Sequence, residues 1–339
     1  MQILKRLAPQ LIALAALTLL VTIFFPGFLN ISYNDGRLVG PVIDVLKRVA
    51  PVALLSVGMT LVIATKGIDL SVGTTMAICG AVAASAIAGG MGVLPALLMA
   101  LGAGALAGLW NGTLVAVVGI QPFVATLILM TMGRGIAQLI TEGRILTFSD
   151  PAFAHIGSGT LVGLPVPAWI WLLTGIGVAV LMRRTALGLL IEAIGINRRA
   201  SALAGVNATV LLIAVYVFAG LCAALAGVIV TADIRGADAN NAGLWLELDA
   251  ILAVVIGGNS LLGGRFSIIA SLLGALIIQT IDTGVLLAGF PPEYNLVIKA
   301  VLVLVILVLQ SPRMATEWRF WRDSRRALRE PAPQPRSEP

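Results

Sequence analysis

Charge is what this sequence has least of. Asp, Glu, Lys and Arg make up 11% of its 339 residues, where a soluble domain carries about 25%. Cysteine and histidine are equally sparse, with two of the first and one of the second. Cys79 and Cys222 fall inside apolar stretches, so no disulfide framework is indicated, and His155 has no partner for a histidine-based metal site. There is no Gly-x-x-x-x-Gly-Lys-Ser/Thr loop, so the chain lacks a phosphate cradle of its own. Neither His-Glu-x-x-His nor Gly-x-Ser-x-Gly occurs, which removes two signatures of an intramembrane hydrolase. The formal charge of +6 suggests nucleic acid, yet the basic residues are scattered over loops and a tail with no recognisable binding motif.

What fills the chain is hydrocarbon. Hydrophobic residues reach 59% and the mean hydropathy is +1.02. The continuous apolar runs, about 17 to 25 residues long, predict an all-α polytopic membrane protein, because barrel strands would alternate every second residue. Spans are expected at 8–29, 50–65, 72–89, 94–117, 122–140, 167–182, 208–230, 266–288 and 295–310, with a half-length piece at 246–257. That makes about ten in all for a bilayer needing about 20 residues per crossing. Lys5 and Arg6 precede the first run, which is longer than a signal-peptide core and lacks a small-residue cleavage site, so it reads as a retained span. Gly67 and Gly73 bracket Asp69 and Ser71, a helix break with Ser71 as the expected cap of the next helix.

The longest basic interruption runs from Arg183 to Val206. Arg183, Arg184, Arg198 and Arg199 together exclude it from hydrocarbon, at about 2.5 to 3.5 kcal/mol each. Between the pairs lie Leu189, Leu190, Ile191, Ile194 and Ile196, so a short helix here presents an apolar side to a groove on another protein. Segments placed on the inner side hold fifteen Lys and Arg and those placed outside hold five, which puts both termini in the cytoplasm. The organisation expected is a transmembrane domain over 1–311, with 183–206 as a cytoplasmic loop, and a basic, disordered tail over 312–339.

Two patterns concern packing. Gly104, Gly108 and Gly112 form a smooth stripe along which another helix approaches closely. Gly112–Pro122 resembles Gly284–Pro292, and Leu70–Gly73 resembles Leu246–Asp249 in flanking pattern, at offsets of about 170 to 176 residues, the arrangement of inverted repeats with broken helices. Ionisable residues placed in or near the membrane are Asp69, Arg134, Glu247, Asp249, Asp282 and Lys299, functional candidates by default. Ser71, Asn111, Gln121, Asn259, Gln279 and Thr280 either line a path for a hydroxyl-rich solute or bond between helices, at about 0.6 kcal/mol each. No catalytic residue, metal or bound cofactor is expected. On the residues alone an ion-coupled secondary transporter, resting on Asp69, Glu247 and Asp282, stays open.

Four ordered motifs carry a resemblance. Gly67-Ile-Asp-Leu-Ser-Val-Gly73, Ile120-Gln-Pro-Phe-Val-Ala-Thr-Leu127 with Gly133-Arg-Gly135, Gly195-Ile-Asn-Arg-Arg-Ala200 with Ala204-Gly-Val206, and Leu252-Ala-Val-Val-Ile-Gly-Gly258 with Gly263-Gly-Arg265 resemble the permease subunit of bacterial ABC sugar importers of the ribose type. The stretch Ala232–Asp249 looks most like the galactofuranose-type permeases. The resemblance implies an inner-membrane protein made of two permease chains, identical or paralogous, with a separate ATP-binding subunit that uses the ATP and a periplasmic sugar-binding protein. It implies that Glu192, Gly195, Asn197, Arg198, Arg199 and Gly205 couple to the ATPase. Thr65-Lys66-Gly67 departs from the commoner Thr-Gly-Gly and leaves the pairing of Asp69 open.

Overall fold

The computed structural model describes residues 2–34, 36–291 and 293–310. The 312–339 tail lies outside them. The chain divides into two units, Met1–Leu287 and Ala288–Pro339.

The order is α1 (Gln2–Phe24), β1 (Ser32–Asn34), β2 (Arg37–Val39), α2 (Pro41–Arg48), α3 (Ala50–Ala64), α4 (Val72–Ala88), α5 (Val93–Thr113), a π-helical turn (Leu114–Val118), α6 (Pro122–Ile140), β3 (Leu146–Thr147), α7 (Pro151–Ser158), β4 (Thr160–Leu161), β5 (Leu164–Pro165), α8 (Val166–Arg184), α9 (Ala186–Ile196), α10 (Arg198–Leu203), α11 (Ala208–Ile234), β6 (Gly236–Ala237), α12 (Leu246–Ile256) and α13 (Ile268–Leu287), with α14 (Glu293–Gln310) in the second unit. β1 pairs with β2, β4 with β5, and β3 with the distant β6, each antiparallel.

Hydropathy places these helices to within a few residues, and local chemistry ends them. Proline occupies the first turn of α2, α3, α6, α7 and α8, where its missing N–H costs nothing. Asp150, Thr185, Asn197 and Asn207 accept from the free N–H groups opening α7, α9, α10 and α11. α1 stops at Phe24, short of the expected Leu29, because Pro26 and Gly27 follow. The expected loops at 30–48 and 142–165 hold hairpins and the short helices α2 and α7.

Among the described residues six helices are long and apolar enough to cross a bilayer, or seven if the pair α2–α3, bent by 42°, counts as one span. The expected count of about ten is not reached by this measure. α3, α4 and α12 have 15, 17 and 11 residues; α3 and α4 stop at the 65–71 break and α12 at the glycines after Ile256, leaving each short of a full crossing.

α11 is the centre of the first unit. Of its apolar window 61% is buried, with 67% for α13, against 11% for α1, which lies on the periphery. α3, α4 and α5 pack around α11. The glycine stripe does the predicted work on α5: a side chain at Gly104, Gly108 or Gly112 would run into the α11 backbone at Gly220, Tyr216 or Ile213. We name the two ends of the bundle by the short helices they carry. Gly157 of α7 abuts Asp233 at the end of α11, and Lys47 Nζ pairs with Asp233 Oδ1 at 2.6 Å. At the α9 end, Ile194 packs with Ala116, Ala208 and Leu212.

Candidate functional site

The break after α3 is built around one carboxylate. Asp69 is 3% exposed, and its Oδ1 accepts from Ser71 N–H at 2.9 Å and Ser71 Oγ–H at 2.6 Å. Asn111 Nδ2 on α5 donates to Ser71 Oγ at 2.8 Å. Ser71 does occupy the N-cap position of α4, but its hydroxyl caps nothing there and turns to Asp69 instead. Thr126 of α6 closes the break from the other side, accepting from Leu70 N–H and donating to Ile68 O, each at 3.2 Å.

The α9–α10 platform is joined to this break through backbone. Any side chain at Gly195 would strike the Ala64 carbonyl, and Gly264 N–H donates to that same carbonyl at 2.9 Å. Lys66 Nζ donates to Ile196 O at 2.9 Å, placing a cation on the last carbonyls of α9. Arg198 Nη2 donates to Ala116 O at 3.0 Å. Gly205 takes φ +87° in the turn after α10, a conformation glycine adopts without strain. Outward, the platform shows Leu189, Ile196 and Leu203, 72%, 65% and 86% exposed, ringed by exposed Arg198 and Arg199. An open groove of about 490 Å³ lies between Arg198, Arg199, Ala202 and the start of α11, and a cleft of about 260 Å³ brings Arg183 and Glu192 together with Phe266 and Ser267.

Residues 236–245 form the third part. From the α7 end this segment enters the bundle between α4 and α6. Ala237 and Ala239 pack against Ala77, Ile78, Ala81, Ala84 and Ala137, and Gly243 reaches Gly73 at the start of α4 so closely that neither tolerates a side chain. Arg134 of α6 holds the segment by donating to Ala239 O at 2.9 Å and Ala242 O at 2.7 Å. Asp238 is held by Asn241 Nδ2, which donates to its Oδ2 at 2.7 Å, and by the Asn240 and Asn241 N–H groups, which donate to its Oδ1 at 3.0 and 3.2 Å.

Residues 41–307 match the family described as "Branched-chain amino acid transport system / permease component". The chain belongs to this permease family. The galactofuranose transporter permease protein YtfT of Escherichia coli (strain K12) is 61% identical over 305 residues, covering 90% of this chain and 89% of the relative. The fructose import permease protein FruF of Bifidobacterium longum (strain NCC 2705) is 42% identical, covering 90% and 87%. The ribose import permease protein RbsC of Escherichia coli (strain K12) is 38% identical, covering 90% and 93%.

In this permease the polar residues singled out from sequence fall into separate groups. Asp69, Ser71 and Asn111 meet at the break. Asn259 joins a second network, donating to Ser271 Oγ at 2.9 Å, with Ser271 Oγ 2.6 Å from Thr60 Oγ1. Glu247 and Asp249 are buried in the first turn of α12, and Gln279 and Thr280 in α13. Thr280 Oγ1 bonds its own helix at Leu276 O. Gln121 alone among the ten path candidates is exposed, and Asp282 is half-buried. Sequence reasoning did not single out Gln138, which is half-buried, or Asn240, Asn241 and Trp245, which stay exposed. The signal available was the polar run 233–245 set between two apolar helices.

Proposed function

We propose that this permease is the membrane-spanning subunit of an ATP-driven sugar importer of the bacterial inner membrane. It forms the pathway for a furanose-type monosaccharide handed over by a periplasmic binding protein. The observation that carries this reading is the 61% identity over 90% of the chain to a galactofuranose transporter permease, reinforced by fructose and ribose import permeases at 42% and 38%. The family description mentions branched-chain amino acids; the sugar reading follows the individual relatives.

The α9–α10 platform, with Glu192, Gly195, Asn197, Arg198, Arg199 and Gly205, receives the stroke of a separate ATPase. The backbone joint of Gly195 to Ala64 supports a route for that stroke into α3 and the Asp69 break. Ten membrane-passing segments result if α2–α3, α4, α12 and α14 join the other six, and both termini are then cytoplasmic. Two permease chains, related copies or identical, complete the pathway, and the paired motifs at Gly112–Pro122 and Gly284–Pro292 support an inverted repeat.

Reconstitution with a cognate ATPase and binding protein, scoring ATP hydrolysis and uptake over a panel of pentoses and hexoses, tests the reading. Glu192→Ala and Arg198→Ala are expected to reduce uptake at least tenfold and weaken retention of the ATPase. Wild-type assembly and uptake in both variants would remove the platform from the mechanism.

A further inference from the structure

Residues 238–245 are irregular backbone at depth. Gly243 touches Gly73, fifteen residues below Ala88 at the other end of α4, which is about 22 Å at 1.5 Å per residue. A bilayer core is about 30 Å thick, and non-helical backbone within it survives only inside protein or beside a water-filled cavity. One side of this segment is inside protein, against α4 and α6. The other side is open, with Asn240 and Asn241 exposed and Leu244, Trp245 and Leu248 46%, 50% and 47% exposed. Gln138, half-buried near the end of α6, extends the polar surface onto that helix and donates to Asn240 Oδ1 at 2.7 Å. Trp245 holds φ +66°, a left-handed conformation that strains an aromatic residue and clusters at functional sites. The two Arg134 bonds and the Gly73–Gly243 contact hold that geometry in place.

We infer that Gln138, Asn240, Asn241 and Trp245 form a sugar-contacting wall of the translocation pathway. Asn240 and Asn241, with Gln138 beside them, bring amides to the same open side as the Trp245 indole, between Leu244 and Leu248, and amides beside an indole face are the chemistry of a monosaccharide site. The amides exchange hydrogen bonds with ring hydroxyls, and the indole packs against the C–H face of the ring. This assignment rests on the import reading above and adds to it the residues that meet the sugar.

The assembled transporter in vesicles tests it. Asn241→Cys and Trp245→Cys are treated from both sides with a membrane-impermeant thiosulfonate; Cys79 and Cys222 are buried, so background labelling is low. Leu19→Cys, on peripheral α1, serves as the lipid-facing control. Both pathway variants are expected to label from water, and saturating ribose or galactose with the binding protein to slow labelling at least threefold. Trp245→Ala is expected to lower uptake at least tenfold while ATP hydrolysis stimulated by the loaded binding protein stays within twofold. Trp245→Phe is expected to retain at least a third of wild-type uptake. Labelling only by a lipid-soluble maleimide, or wild-type uptake by Trp245→Ala, overturns the wall. Parallel loss of uptake, hydrolysis and complex yield in both Trp245 variants overturns it as well, by making Trp245 structural. Vesicles in which the wild type accumulates no sugar and sugar leaves labelling unchanged overturn the import reading together with the wall.

Discussion

Lys66 sits in the left-handed region, φ +65°, where a residue with a Cβ is strained by about 1 to 2 kcal/mol. Its position is one where the resembling motif has a second glycine, and what the lysine gains is the 2.9 Å bond from Nζ to Ile196 O. That bond also resolves the open pairing of Asp69: the lysine turns to the platform, and the carboxylate takes its hydrogen bonds from Ser71. Lys66→Gly therefore separates two effects. Thermal stability is expected to hold or rise, since the strain outweighs one exposed charge-assisted bond, while sugar moved per ATP hydrolysed is expected to fall about two- to fivefold, a change worth roughly 0.4 to 1 kcal/mol of coupling. Paired melting curves and uptake-to-hydrolysis ratios check it, and a ratio equal to wild type would reduce Lys66 to a tolerated substitution.

Among the elements, α5 and α11 show how a membrane bundle is held without a hydrophobic driving force between helices. Close backbone approach replaces it. Gly108 faces the Tyr216 carbonyl and Val217 Cα, whereas Gly102, on the same helix, has nothing nearby. Gly108→Leu is expected to cost at least the 1 to 3 kcal/mol or so typical of overpacking and to abolish recovery of folded protein from the membrane. Gly102→Leu is expected to leave yield and melting temperature within error of wild type. Size-exclusion profiles of the two variants in detergent provide the measurement, and equal behaviour would mean that the α5–α11 crossing is looser than described. The two glycines look alike in the sequence. Only the four-residue spacing of Gly104, Gly108 and Gly112 marks the packed stripe, and Gly102 lies outside it.

For the whole molecule the expected behaviour is dependence on a separate engine. Vesicles holding the permease without its ATPase should accumulate no sugar under an imposed proton or sodium gradient, and adding ATPase, binding protein and ATP should start uptake. Gradient-driven accumulation by the permease alone would instead favour ion coupling through the buried carboxylates Asp69 and Glu247.

Hydropathy located the principal helices, and the arginines at 183–199 located the platform, because helix formation and the exclusion of charge from hydrocarbon depend on residues close together in the chain; the expected Ser71 cap failed because its hydroxyl turns to Asp69. Which face each helix turns inward was not available from that information. Asp69, Asn111 and Glu247 read as polar groups in a membrane whether they line a path or lie inside the bundle, and their burial comes from helices tens to hundreds of residues away. The entry of residues 236–245 between α4 and α6 was likewise decided by the tertiary structure: Gly243 meets Gly73 and Arg134 meets Ala239 across separations of 170 and 105 residues, a pairing that no local pattern encodes.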